Sequence, residues 1–147
     1  MSPTLSEALF DLLGQRRREN IALGRPDSFL RAYGVLERGG IVAALADRID
    51  GTATHLKARF FDRTASFPIG PHVLAARAGA PVLMCFGIYE GGADYRIEFV
   101  PFGAPAARDS RGAALQPTVE HYAQILEVHA RRYPLNWYNF YPYWEQR

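Results

Sequence analysis

Three consecutive arginines, Arg16-Arg17-Arg18, and an Asp47-Arg48 pair are the residues of this sequence best suited to chemistry. A guanidinium is planar and always charged, so it holds phosphate or carboxylate through paired hydrogen bonds. Three in a row cannot all face one way on a regular element. A solvated charge run is therefore the plain reading of Arg16–Arg18, and an anion grip the sharper one. Asp47 follows a short apolar run, Ile41–Ala46. In open α/β sheets, ligands gather beyond the carboxyl ends of the strands, which is where this carboxylate would stand. The plain alternative is a turn aspartate that caps the next segment, with Arg48 neutralising it. His72 is the remaining candidate. It follows Pro71 at a predicted helix start, where unpaired N–H groups favour an anion.

The stretch Phe60–Leu83 organises the elements around these residues. Pro71 after Gly70 can open a helix, because its missing N–H falls among groups a helix start leaves unpaired. Gly79 stands where a helix ends in the left-handed conformation, and Pro81 follows it. Val82–Gly87 is almost continuously apolar, the pattern of a strand covered on both faces. The stretch therefore reads as a strand end, a loop, a tight turn, a small-residue helix and a second strand.

On the N-terminal side, Leu5, Ala8, Leu9, Leu12 and Leu13 give one apolar helical stripe behind a Thr4–Glu7 capping box. Phe29, Leu30, Tyr33 and Leu36 space a second helix that Gly39-Gly40 ends. Ile41–Ala46 reads as a central parallel strand, and His55–Phe61 as a strand leading into Phe60–Leu83. On the C-terminal side, Gly91–Asp94 reads as a hairpin connection into an alternating strand, Tyr95–Val100. Phe102–Gln116 is a Gly-, Pro- and charge-rich loop, expected to be mobile. Pro117 opens a last helix with an apolar face of Val119, Tyr122, Ala123, Leu126 and Ala130, and Pro134 stops it. The tail Tyr133–Trp144 is dense in aromatics with polar tips. It reads as a lid on the core, or else as a surface for a membrane interface or an acyl chain.

The 147 residues fit one domain, 1–147, with no internal repeat. A net charge of +2 and the lack of a recognised nucleic-acid motif argue against nucleic acid as a partner. A single cysteine, Cys85 in an apolar run, excludes an internal disulfide and reads as a small core thiol in a reducing compartment. No signal peptide and no run of the ~18 apolar residues that a membrane span needs is visible.

Taken in order, these pieces resemble the C-terminal half of the lysophospholipid acyltransferase superfamily, in its bacterial lipid A biosynthesis acyltransferase branch. The order is an arginine segment, Arg16–Arg18; a helix ending in a glycine turn, Leu36–Gly40; and an apolar strand ending in Asp47. A Phe-Phe-x-x-x-Ala-x-x-Pro-x-Gly stretch and a Gly-Ala-Pro-Val strand follow within Phe60–Leu83, then Pro134-x-x-Trp137. The resemblance implies an α/β, partial acyltransferase-like fold: a mixed, mostly parallel sheet flanked by helices, with an aromatic C-terminal tail. It implies transfer of a fatty acyl group from an acyl carrier protein or coenzyme A thioester to a hydroxyl of a lipid or glycolipid, with no bound cofactor or metal. Asp47 matches the aspartate that ends the superfamily's strand. Arg16 or Arg18 matches its functional arginine, which would hold a phosphate of donor or acceptor. Arg48 and His72 join them as candidate substrate contacts. The implied location is cytoplasmic, peripheral on the inner face of the cytoplasmic membrane.

The superfamily's His-x-x-x-x-Asp (or Glu) motif, whose histidine is the general base, is not in this sequence. Five residues after His55, His72, His121 and His129 stand Phe60, Arg77, Leu126 and Pro134. The expectation is therefore a C-terminal fragment, a misplaced start, or a shortened relative that does not catalyse alone. A second chain or a homodimer could complete it. The competing expectation is a non-catalytic module that binds lipid, acyl carrier or protein.

Overall fold

The computed structural model describes residues 20–22, 25–49, 53–140 and 143–145. Helix α1, Ser28–Glu37, ends as its sequence predicts. Gly39 takes φ 73°, and the N–H groups of Gly39 and Gly40 bond back to Leu36 O and Val35 O. Only Ala32 of α1 is buried, and the helix rests against α2, Gly70–Ala78. The Arg16–Arg18 segment and the Leu5–Leu13 stripe lie outside the described residues.

Ile41–Ala46 is not a strand. It runs on without sheet hydrogen bonds, and Ile41 and Leu45 are 65% and 71% exposed. The mostly parallel sheet is likewise replaced, among the described residues, by two antiparallel hairpins. Strand β1, His55–Phe60, pairs with β2, Arg63–Pro68; β3, Val82–Gly91, pairs with β4, Asp94–Gly103. The physical reason is local. A two-residue turn brings β2 back along β1, and a short Gly-rich turn does the same for β4. Both strands of each pair find their ladder partner within the hairpin. An apolar run shows that burial is possible; it does not supply a neighbouring strand.

The β1–β2 turn is Phe61-Asp62, and both residues have positive φ, 50° and 61°. Left-handed non-glycine residues cost about 1 kcal/mol each. Three contacts hold this one: the Phe61 N–H donates to Glu127 Oε2 at 2.8 Å, Phe61 stacks on Trp137 at 5.6 Å, and Arg59 pairs with Asp62.

Helix α2 contains Pro71 near its start and Gly79 at its end, as expected. Gly79 takes φ 62°, its N–H bonds to Ala76 O, and the Ala80 N–H bonds to Ala75 O. A Cβ at position 79 would lie 3.1 Å from Arg108 Nη2. Gly79→Ala should therefore lower stability by about 1 kcal/mol through the left-handed backbone alone. Urea unfolding tests this, and an unchanged midpoint would contradict it.

Helix α3, Gln116–Arg132, buries Val119, Tyr122, Ala123, Leu126 and Ala130, the five residues its spacing predicts. That face packs on β1. The expected 102–116 loop is shorter: Phe102 and Gly103 belong to β4, and Leu115, in a 3-10 turn just before the helix, is fully buried and fixes the loop's end. The tail closes the core from the far side: Tyr143 is buried, and Trp144 Nε1 donates to Phe60 O at 3.2 Å. The β3–β4 hairpin departs from expectation on one face. Leu83 and Cys85 point outward and are exposed, so β3 is not covered on both sides and Cys85 is not a core thiol.

Candidate functional site

Asp47 lies at the end of the extended segment after α1, with its side chain 21% exposed. Its Oδ1 is buried without a hydrogen-bond partner and stands 3.7 Å from Arg48 Nε, an ion-pair distance too long for a hydrogen bond. The Arg48 side chain is half exposed. An orphaned carboxylate oxygen inside a fold is costly.

Tyr122, from the buried face of α3, lies within reach of the Asp47 charge. Its phenol is pushed up from the ordinary range by burial first, and then by the negative Asp47. The ring packs 5.7 Å from Phe67 and 5.4 Å from His72. His72 stands in the first turn of α2, as its sequence position suggests, but it faces inward. It is buried against Phe102 and Tyr122, and Nε2 has no hydrogen-bond partner. Burial pushes its pKa down to about 4, so at neutral pH the ring is uncharged. It can offer a neutral imidazole to a ligand and not a cation to an anion.

Of the sequence candidates, His72 packs on Tyr122, and Asp47 is near enough for its charge to act on the Tyr122 phenol. Tyr122 is the residue that reading the sequence assigned only to packing. Its helical spacing gave no sign of a second role, because a core phenol and a site phenol share the same pattern. Arg48 stands at the rim of this cluster. Arg16 and Arg18 lie outside the described residues.

A general base needs a free ring nitrogen within reach of the hydroxyl it activates. His129 stacks on Phe86 at 3.9 Å, donates from Nδ1 to Ile125 O at 2.9 Å, and places Nε2 3.7 Å from Glu98 Oε2. Both of its nitrogens face acceptors. His55 Nδ1 faces Ala53 O, and His121 is exposed against Phe102. Among the described residues, no group of three or more His, Cys, Asp and Glu side chains could hold a metal ion.

A groove lies at the tail. Phe61, Arg63, Ala130, Arg131, Pro134, Trp137 and Trp144 line an open groove of about 550 Å³. Arg63 stands over the Trp144 ring at 4.8 Å and Arg131 over Phe61 at 4.7 Å. Arg131 is also held by Glu127 at 2.6 Å. The Phe61 N–H and Arg131 together keep the Glu127 carboxyl below its ordinary range. The groove shares no lining residue with the Asp47 cluster.

The described residues form a mixed α/β fold with Asp47 set inward and Arg48 beside it. Over residues 6–146 the chain matches the family model of bacterial lipid A biosynthesis acyltransferases, and it belongs to that family. No match to a curated protein was found, and none to a solved structure. Among the described residues, no helix is long and apolar enough to cross a membrane.

Proposed function

We propose that this chain holds donor and acceptor for acyl transfer. A fatty acyl group would pass from an acyl carrier protein or coenzyme A thioester to a hydroxyl of a lipid or glycolipid, at the inner face of the cytoplasmic membrane. The family match over residues 6–146 carries the reading. Asp47 supports it: its Oδ1 has no hydrogen-bond partner, so it offers an acceptor for the proton of an entering hydroxyl. Asp47 orients the acceptor, and Arg48 with Arg16 or Arg18 holds a phosphate. The neutral His72 ring forms part of the wall. These residues bind and orient. With a pKa near 4, His72 is too weak a base to strip a hydroxyl proton efficiently near pH 7.

The test is binding and product formation with the purified chain. Saturable binding of a long-chain acyl thioester is expected. Arg48→Ala should weaken it about fivefold, the scale of roughly 1 kcal/mol for a half-exposed charge contact. Mass spectrometry of the lipid or glycolipid then shows whether an acyl ester forms. Binding without ester would identify a holding module only, and neither binding nor ester would sink the reading.

A further inference from the structure

The β3–β4 hairpin has two unlike faces. Side chains alternate along a strand, and the register pairs Leu83 with Pro101, Cys85 with Phe99, Gly87 with Ile97 and Tyr89 with Tyr95. All of these share the outward face, and none is charged. The charged Arg96 and Glu98 lie on the other face, opposite Ile88 and Phe86, where they bond to each other. Leu83 is 62% exposed, Tyr89 40%, Tyr95 60% and Phe99 46%. At about 200 Å² for a large side chain, these fractions leave about 400 Å² of apolar surface, and the exposed Cys85 and Pro101 on the same face bring it to roughly 500 Å². A patch of that size signals an interaction site more often than ordinary surface.

We infer that a second copy of this chain covers this face, sheet against sheet. The area fits: burying roughly 500 Å² on each of two copies reaches the ~1,000 Å² at which a specific interface becomes credible. The chemistry fits as well. The face carries no charge, so it meets its own copy without like-charge repulsion, and its aromatic and aliphatic side chains can interdigitate as in packed sheets. An anionic bilayer fits less well, because Asp94 stands exposed at the hairpin tip. The two-copy arrangement is independent of the acyl-transfer reading, since its test reads mass and not activity.

Sedimentation across a concentration series should give twice the single-chain mass. Phe99→Asp should raise the dissociation constant at least tenfold, and Tyr95→Asp should do the same if the first variant folds poorly. Leu30→Asp, at an exposed apolar residue of α1, should leave the mass unchanged. Cys85 is the sole cysteine, so a short bis-maleimide should join two wild-type chains through it. A single-chain mass at every concentration would overturn the inference, as would a dimer indifferent to both hairpin variants. A single-chain mass with Cys85 slow to alkylate would also overturn it, since the face would then be covered within one chain.

Discussion

Phe60→Ala should cost about 3–5 kcal/mol, the range for emptying a fully buried aromatic site. Phe60 is 0% exposed. Its ring meets Phe61, Phe67, Trp137, Tyr143 and Trp144 at centroid distances of 4.8–6.3 Å. It therefore joins the β1–β2 hairpin to the tail, and its carbonyl accepts the Trp144 indole N–H. Removing the ring leaves a cavity that both elements border. Against a total of about 5–15 kcal/mol for a natural domain, this could take much of the stability. Urea unfolding followed by tryptophan fluorescence reads the change. Phe140→Ala, at an exposed ring in the same tail, should shift stability by less than about 0.5 kcal/mol. Equal effects from the two would mean that the tail does not close the core.

The second large effect is on acid stability, through His72. Its folded pKa of about 4 lies below the ordinary 6.5 because burial penalises the charged ring. Above pH 6.5 the ring is neutral in both folded and unfolded chains, and its contribution is fully present. As pH falls from 6.5 toward 4, the unfolded chain takes up a proton that the folded chain refuses, and stability is lost. The loss approaches about 3 kcal/mol by pH 4. Asp62, Glu98 and Glu127 have carboxyls held below their ordinary range. Their stabilisation begins to fall about one unit above their ordinary values of 3.8 to 4.5, so the fall between pH 6.5 and about 5.5 separates His72 from them. His72→Phe keeps a ring against Phe102 and Tyr122 and removes the titration. The wild-type and variant stability curves should separate progressively between pH 6.5 and 4. Parallel curves would show that the ring is protonated in place.

How much of this was legible in the sequence depended on whether the signal was local. The α3 face was, because five apolar residues at helical spacing face a core wherever that core is. The ends of α2 were too, since Pro71 and Gly79 act through backbone geometry that needs no partner. The Gly91–Asp94 turn announced its hairpin for the same reason. Ile41–Ala46 misled because apolar composition reports a capacity for burial, while strand formation needs a second strand to pair. The β1–β2 hairpin went unread because its turn is Phe61-Asp62, without the glycine or asparagine that usually marks left-handed residues; the Glu127 and Trp137 contacts that hold it come from distant segments.

The site divides in the same way. Asp47 was legible as a carboxylate ending an apolar run, and it holds an unsatisfied oxygen although the run is no strand. His72 was legible as a helix-start residue, but its inward orientation and loss of charge depend on Phe102 and Tyr122. Tyr122 reaches the Asp47 field only through the packing of α3 on the hairpin.

The central claim, that the Asp47–Tyr122–His72 cluster borders the place where an acyl thioester is held, has a direct measurement. A non-hydrolysable thioester analogue carrying a diazirine next to its carbonyl is bound to the purified chain, illuminated, and mapped by peptide mass spectrometry. The account predicts saturable labelling of peptides containing Asp47, His72 or Tyr122, displaced by unlabelled acyl thioester. Labelling confined to the Phe61–Trp137–Trp144 groove, or labelling that unlabelled thioester does not displace, would contradict it.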